Sequence, residues 1–167
     1  MDGRTGLNPS VRRSQPRLRP QQQEVPVGVD DISFPALGRL ANGILDVLPT
    51  AEHLTLNTAS GLKGGFYTGY ELVDANGRWF RVVSARKLHG VGPFGGYNPF
   101  LGQKIRVELE IEDSRREASL EEVRGLVVSE FASSSSWQSR DDFDSLQAEI
   151  TSASTLAELL RRLADAA

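Results

Sequence analysis

The strictest pattern in the sequence is an alternation of apolar and charged residues over positions 105–112. The apolar members are Ile105, Val107, Leu109 and Ile111, and the charged members are Arg106, Glu108, Glu110 and Glu112. Because successive side chains of a β-strand point to opposite faces, this period of two predicts a strand with one buried face and one face in water. A chain that contains such a strand must supply both strands to pair with it and an apolar core to cover one side.

A β-hairpin is predicted upstream of this strand. Two segments rich in aromatic and β-branched residues, Phe66 to Val73 and Trp79 to Ala85, are separated by Asp74-Ala75-Asn76-Gly77. The connecting residues are the types that adopt the positive φ values of a tight turn. Together with the strand at 105–111, the hairpin predicts a small antiparallel sheet.

A helix is predicted before the sheet. Ser33 is placed as an N-cap ahead of Phe34 and Pro35, and apolar residues follow at helical spacing until Pro49. This pattern predicts a helix over about 34–48. Gly38 and Gly43 each cost such a helix up to about 1 kcal/mol relative to alanine, so it would depend on tertiary packing.

Further helices are predicted after the sheet. Capping boxes at 119–122 and 155–158 each precede an apolar run, and Phe143, Leu146 and Ile150 indicate another helix between them. The predicted fold class is therefore α+β: a small antiparallel sheet, formed by the hairpin and the third strand, packed against N- and C-terminal helices.

The first 29 residues have a different composition, rich in Pro, Gln, Arg and Gly and without either period. They cannot bury enough apolar area to offset the entropy of ordering. We therefore predict a disordered tail over 1–29 and a single α+β domain over 30–167. Residues 1–23 carry five arginines and one aspartate, a charge of +4, which leaves −7 on the rest of a chain whose total is −3. The tail is either a solvated segment or a contact for nucleic acid, although it has no aromatic to stack on a base.

The chain lacks the residues that several catalytic and metal-binding chemistries require. The chain has no cysteine, no G-x-S-x-G motif and only two histidines, His53 and His89, with no acid placed beside either. The acidic cluster at 141–144 lacks the spacing of an EF-hand, and helix capping explains it more simply. The interpretation is a chain that is not an enzyme, with no catalytic residue, metal or cofactor. No apolar run suits a membrane helix or signal peptide, so we expect a cytoplasmic protein without a membrane partner.

The segment from Gly90 to Gly102 is unusual because five glycines and two prolines are interleaved with Phe94, Tyr97 and Phe100. Its start fits the spacing G-x-G-x-x-G, but the prolines and further glycines prevent the helix that dinucleotide binding requires. A loop of this length is more often functional than idle. Its aromatics either pack back on the sheet or form a contact surface, and Tyr97, with its polar tip, is the stronger candidate for a contact.

Acidic residues crowd the strand at 105–112 and the start of the next helix. Among these acids the sequence places only three cations, Arg106, Arg115 and Arg116. Alternation puts Glu108, Glu110 and Glu112 on one outward face, where they would repel nucleic acid and attract a basic protein. The alternative interpretation is an ordinary solvated face.

These features form one pattern over about residues 66–163. It runs through Gly69 to Asp74, Gly77, Val82 to Lys87, Val91 to Phe94, Gly96 to Asn98, and Val107 to Glu110. The pattern resembles small bacterial immunity-type proteins, which are found beside polymorphic toxins. The resemblance implies a non-catalytic protein that binds and blocks a cognate secreted toxin. It leaves open whether the helix over 34–48 belongs to the same domain.

Two main functions from different classes follow. The first is an immunity-type protein that binds its toxin through Tyr97, Phe94, Glu108, Glu110 and Glu112; a basic nuclease toxin would match this acidic face. The second is a small-ligand-binding enzyme or sensor, with a cleft between sheet and helices and the 90–102 loop as its lid. A third is a nucleic-acid-associated protein that uses the arginine-rich tail.

Overall fold

The computed structural model describes residues 26–92, 97–98 and 102–167, with the backbone alone at 97–98. Within these ranges the chain forms an antiparallel sheet of eight strands. The strands are β1 (Pro26–Val27), β2 (Ala36–Arg39), β3 (Leu45–Leu48), β4 (Leu56–Thr58), β5 (Glu71–Val73), β6 (Arg78–Gly90), β7 (Tyr97–Asn98) and β8 (Gly102–Glu117). Their order is β1-β8-β6-β5-β2-β3, and β4 and β7 also pair with β8.

The helices fall into two groups. Two five-residue helices, α1 (Ala51–Thr55) and α2 (Ala59–Lys63), lie between β3 and β5, and a 3-10 turn spans Val29–Asp31. After β8 come α3 (Leu120–Ser133), α4 (Ser135–Gln138), α5 (Phe143–Ser152) and α6 (Leu156–Ala166). The α+β fold class and the C-terminal helices are thus as predicted. Both capping residues act as expected, since Ser119 and Thr155 accept hydrogen bonds from the backbone N–H of Glu122 and Glu158.

The alternating strand is confirmed as the central part of β8. Ile105, Val107 and Ile111 are buried and Leu109 packs at the edge of the same core. The strand is longer than predicted and holds the sheet together, because β6 pairs along one edge while β1 and β4 pair along the other.

The predicted hairpin is present as β5 and β6, with Gly77 at φ +83° in the turn. Its first strand begins at Glu71, because residues 66–69 form turns that place Tyr67 in the core. The turn is built around Asp74, a fully buried carboxylate that accepts 2.9 Å hydrogen bonds from the backbone of Asn76 and Arg78. The guanidinium of Arg78 lies 3.1 Å from the same carboxylate, which compensates the charge.

The helix predicted over 34–48 is wrong, because this segment is a second hairpin, β2–β3. Its turn closes with a 2.9 Å hydrogen bond from the N–H of Gly43 to the carbonyl of Leu40, and Gly43 has φ +88°. The apolar residues did not alternate with polar ones because both faces of this hairpin are covered: Leu37 packs on one core and Leu48 on the other. A strand buried on both faces loses the period of two that would identify it. Among the described residues, no N-terminal helix of that length packs against the sheet.

The sheet separates two cores. The first contains Tyr70, Phe80 and Ile111 and lies on the side of α1 and α2. The second lies between the other face, represented by Leu37, Val73 and Trp79, and the helices α3, α5 and α6. Residues 26–29, which the composition places in the tail, take part in this architecture. Val27 pairs with Ile111, and both Val27 and Val29 pack against the first core.

Candidate functional site

The predicted acidic residues lie on an open face of the ribbon that β6 and β8 form. In the register, Glu108 is opposite Arg86, Glu110 is opposite Ser84, and Glu112 is opposite Arg81. Opposite residues of an antiparallel pair point to the same side. We refer to the six residues Arg81, Ser84, Arg86, Glu108, Glu110 and Glu112 as the charged face.

The charged face continues the surface that the C-terminal helices cover. Trp79 is buried beneath these helices, and Arg81 lies two residues further along the same strand and on the same side, where it is exposed. Beyond this point Arg86, Glu108 and Glu110 are exposed as well, and Glu112 is half-buried. The helices therefore shield one half of the sheet face and leave the charged half accessible.

The carboxylates of this face have cross-strand partners. Glu108 forms an ion pair with Arg86, and the hydroxyl of Ser84 donates a 2.9 Å hydrogen bond to Glu110. The arginines that are near these acids in the sequence are engaged elsewhere: Arg106 contacts Glu52 at 3.0 Å and Arg116 contacts Glu122. Three glutamates and two arginines give the charged face a formal charge of −1. Acidic and basic side chains alternate on this face, with a small excess of negative charge.

Sequence reasoning missed Arg81 and Arg86 as members of this face. Their positions depend on the register between β6 and β8, which shifts at three places, including the steps Val82/Ser84 and Lys87/His89. Each of these two steps leaves one extra residue on β6, Val83 or Leu88, and both are about half exposed. Pairing β6 with β8 as a long hairpin would have placed the arginines on this face. The sequence pattern does not reveal the bulges, which set the register.

The loop residues lie at the far end of the same ribbon. Tyr97 and Asn98 form β7, which pairs with Gln103 and Gly102 at the start of β8. Gln103 is five residues from Glu108 along β8, a separation of about 17 Å at roughly 3.4 Å per residue. The backbone of Tyr97 and the charged face thus belong to one ribbon but are not adjacent. Phe94 lies outside the described residues.

A concave surface lies elsewhere, between the tip of the β2–β3 hairpin and the helices α3 and α4. This groove has a volume of about 700 Å³, within the range of small-molecule sites. Its apolar lining is formed by Ile44, Leu45, Leu126 and Trp137, and its polar lining includes Arg39, Asn42, Glu130 and several serines. Sequence reasoning missed it because it assigned residues 34–48 to a helix.

A partly buried polar pair, formed by the buried Tyr70 and the half-buried Asp46, lies within the sheet. The hydroxyl of Tyr70 donates a 2.7 Å hydrogen bond to Asp46. Burial raises the pKa of both Tyr70 and Asp46 above their ordinary values, although the hydrogen bond from Tyr70 partly opposes the effect for Asp46. Both groups are therefore held in their neutral forms over a wider pH range than usual.

His53 and the acidic cluster have local explanations. The imidazole Nδ1 of His53 is 2.9 Å from the hydroxyl of Thr50 at the start of α1. Asp142 makes an ion pair with Arg140 at 2.8 Å, and this hydrogen bond lowers the pKa of the Asp142 carboxyl. Among the described residues, no group of three or more acids and histidines could hold a metal ion. In the same ranges, no helix has both the length and the apolar character to cross a membrane.

Comparison with known proteins gives no relative: no family model, curated protein or solved structure matches the chain. The resemblance to immunity-type proteins therefore stays a hypothesis that rests on the residues that suggested it.

Proposed function

We propose that this chain is a non-catalytic protein-binding module that engages its partner through the charged face and the far end of the β6–β8 ribbon. The observation that carries the proposal is the exposure of charged side chains on two long paired strands. Arg86 and Glu108 have side chains that are 75% and 46% exposed, although two paired long strands fix their positions. Charges whose backbone positions are set by strand pairing present a defined pattern to a partner, which favours specificity and electrostatic steering of the encounter.

The expected partner has a complementary alternating surface with a small basic excess. A basic side chain of the partner can approach Glu110, whose only side-chain partner among the described groups is the neutral hydroxyl of Ser84. At Glu108 the same side chain would have to compete with Arg86. Charge recognition is therefore expected to depend more on Glu110 than on Glu108.

The finer form of the proposal is that the partner is a bacterial toxin and that binding neutralises it. The support is the resemblance of residues 66–163 to immunity-type proteins, together with the acidic excess, which suits a basic nuclease. Tyr97 is proposed to act as the aromatic anchor at the far end of the ribbon. An anchor acts after encounter, so its loss raises the dissociation rate.

A site-directed crosslinking experiment tests this function and identifies the partner at the same time. Because the chain has no cysteine, Ser84→Cys and Ser145→Cys each introduce a single thiol for a photoreactive label. Ser84 lies on the charged face, and Ser145 is exposed on α5, away from it. In a lysate of the source organism, we expect one protein to be crosslinked from position 84 and not from position 145.

The captured protein is then purified and its binding measured by surface plasmon resonance. Tyr97→Ala should raise its dissociation rate about 30-fold, the equivalent of a hot spot of about 2 kcal/mol. Glu110→Lys should abolish the electrostatic acceleration of association. If the same species are captured from both positions, or none is captured from position 84, the proposed function is wrong.

A further inference from the structure

The groove between the β2–β3 hairpin and the helices α3 and α4 is independent of the charged face. One wall is a single stripe of α3, in which Leu126, Ser129, Glu130 and Ser133 follow one another at helical spacing. The opposite wall is the tip of the hairpin, including Arg39 and Ile44. The groove is thus built from elements that are separated in sequence and fixed by the second core.

Two opposite charges line this groove without neutralising each other. Arg39 is exposed and Glu130 is half-buried, and neither side chain makes an ion pair or side-chain hydrogen bond within the described part of the chain. The hydroxyls of Ser129 and Ser135 are also without a protein partner among the described residues. The groove therefore offers a cation, an anion and hydroxyl groups to a ligand.

The apolar part of the groove is built on packed side chains. The ring of Trp137 packs on Phe131 with a centroid distance of 5.1 Å, and the guanidinium of Arg140 lies 5.3 Å from the Trp137 ring. Ile44, at the hairpin tip, is 50% exposed and extends the apolar surface. The lining of the groove is mainly polar, and this smaller apolar surface adds hydrophobic contact beside the polar groups.

We propose that this groove binds a short peptide with free termini and an apolar side chain. The peptide carboxylate would pair with Arg39 and its ammonium with Glu130, which places both unpartnered charges in ion pairs. The main-chain amides would bond the serine hydroxyls, and the apolar side chain would contact Trp137 and Leu126. Cavities of this size suit a ligand of a few residues better than a single amino acid.

The test uses trileucine as the probe and the full chain labelled with nitrogen-15. We expect shift changes of backbone amides at Ile44 and over residues 129–137 on titration. N-acetylated trileucine and C-amidated trileucine each lose one terminal charge, so each should bind roughly tenfold more weakly or worse.

Two variants assign the charges to their partners. In Arg39→Gln the amidated and unmodified peptides should bind equally, and in Glu130→Gln the acetylated and unmodified peptides should bind equally. Arg161→Gln, which changes an exposed arginine of α6 outside the groove, should preserve both differences. Absence of shift changes, equal binding of all three peptides to the unaltered chain, or shifts centred outside the groove would overturn the proposal.

Discussion

The hydroxyl of Tyr70 donates a 2.7 Å hydrogen bond to Asp46, and the Tyr70 side chain reaches it by crossing directly over Gly38, which lies in the strand between them. Gly38 lies in β2, Asp46 is its partner in β3, and Tyr70 immediately precedes β5. A side chain at position 38 would place its Cβ 1.9 Å from the Tyr70 oxygen. The absence of a side chain at Gly38 thus allows three segments of the sheet to share one partly buried hydrogen bond.

Gly38→Ala is expected to destabilise the fold, because the new methyl group and the Tyr70 ring cannot occupy the same space. Forced overpacking costs about 1–3 kcal/mol, which corresponds to a fall of roughly 2–4 °C in melting temperature per kcal/mol. The matched control is Gly125→Ala in α3, where an added Cβ meets nothing within 4 Å. It should stabilise the helix by up to about 1 kcal/mol. Thermal melts in which both variants behave alike would contradict the packing around Tyr70.

Asp46→Asn tests the raised pKa of Asp46. Well below pH 3.8, the ordinary pKa of an aspartate, Asp46 is protonated in the folded and unfolded chains alike. As the pH rises, the unfolded chain ionises first, so the contribution of Asp46 to stability falls until the raised folded pKa is passed. Relative to Asp46→Asn, which can still accept the Tyr70 hydrogen bond, the unaltered protein should lose stability between that lower limit and neutral pH.

Denaturant unfolding of both proteins across this pH range measures the difference. The groups whose pKa is lowered, Asp142 and Glu158, contribute the opposite pH dependence. They are present in both proteins and cancel in the subtraction. A difference that stays constant, or that shifts in favour of the unaltered protein as the pH rises, would show that Asp46 is not held neutral by burial.

The register of β8 is tested by two substitutions at neighbouring positions. Val107 is 2% exposed, so Val107→Asp buries an unpaired charge and should unfold the domain. Glu108→Lys changes an exposed residue and loses the pair with Arg86, at a cost of about 1 kcal/mol or less. Circular dichroism should therefore show folded protein only for the second variant. Indistinguishable spectra would mean that the two faces are wrongly assigned.

The boundary of the N-terminal tail is tested by two truncations. Removal of residues 1–25 should leave the melting temperature unchanged, since this segment has no apolar residues at helical or strand spacing. Removal of residues 1–29 also deletes β1 and two valines that pack on the first core. It should cost about 2 kcal/mol or more, a fall of roughly 4–8 °C. Equal melting temperatures for the two truncated proteins would contradict the contribution of β1.

The parts of the fold that were predicted correctly have local signals that tertiary contacts do not obscure. β8 has one buried and one solvent-exposed face, and within the β5–β6 turn Asp74 accepts hydrogen bonds from the backbone of Asn76 and Arg78 while Gly77 supplies the positive φ. The capping residues Ser119 and Thr155 likewise act within one turn of helix. In each case the residues that determine the structure are neighbours in the sequence.

The parts that were missed depend on long-range pairing. The β2–β3 hairpin has apolar residues on both faces because two cores cover it, so its pattern imitates a helix despite Asn42 and Gly43 at the turn. Arg86 compensates Glu108 only through the bulged register of β6 with β8. The acidic residues were recognised, whereas their neutralisation, which decides how strongly they can steer a partner, was not.

The central claim is that a partner is recognised through the charged face. The combined variant Glu108→Gln, Glu110→Gln and Glu112→Gln changes the formal charge of this face from −1 to +2 and keeps the side-chain shapes. The control, Asp141→Asn, Asp144→Asn and Glu149→Gln, removes as many charges from exposed positions elsewhere. Both are compared with the unaltered protein.

The decisive measurement is the association rate of the crosslinked partner by surface plasmon resonance at two ionic strengths. Suitable values are about 0.01 and 0.15 M, where the Debye length is about 30 and 8 Å. The charged-face variant should associate more slowly than the unaltered protein at the lower ionic strength and depend less on salt, while the control retains the steep dependence. An association rate equal to that of the unaltered protein at both ionic strengths would contradict recognition through the charged face.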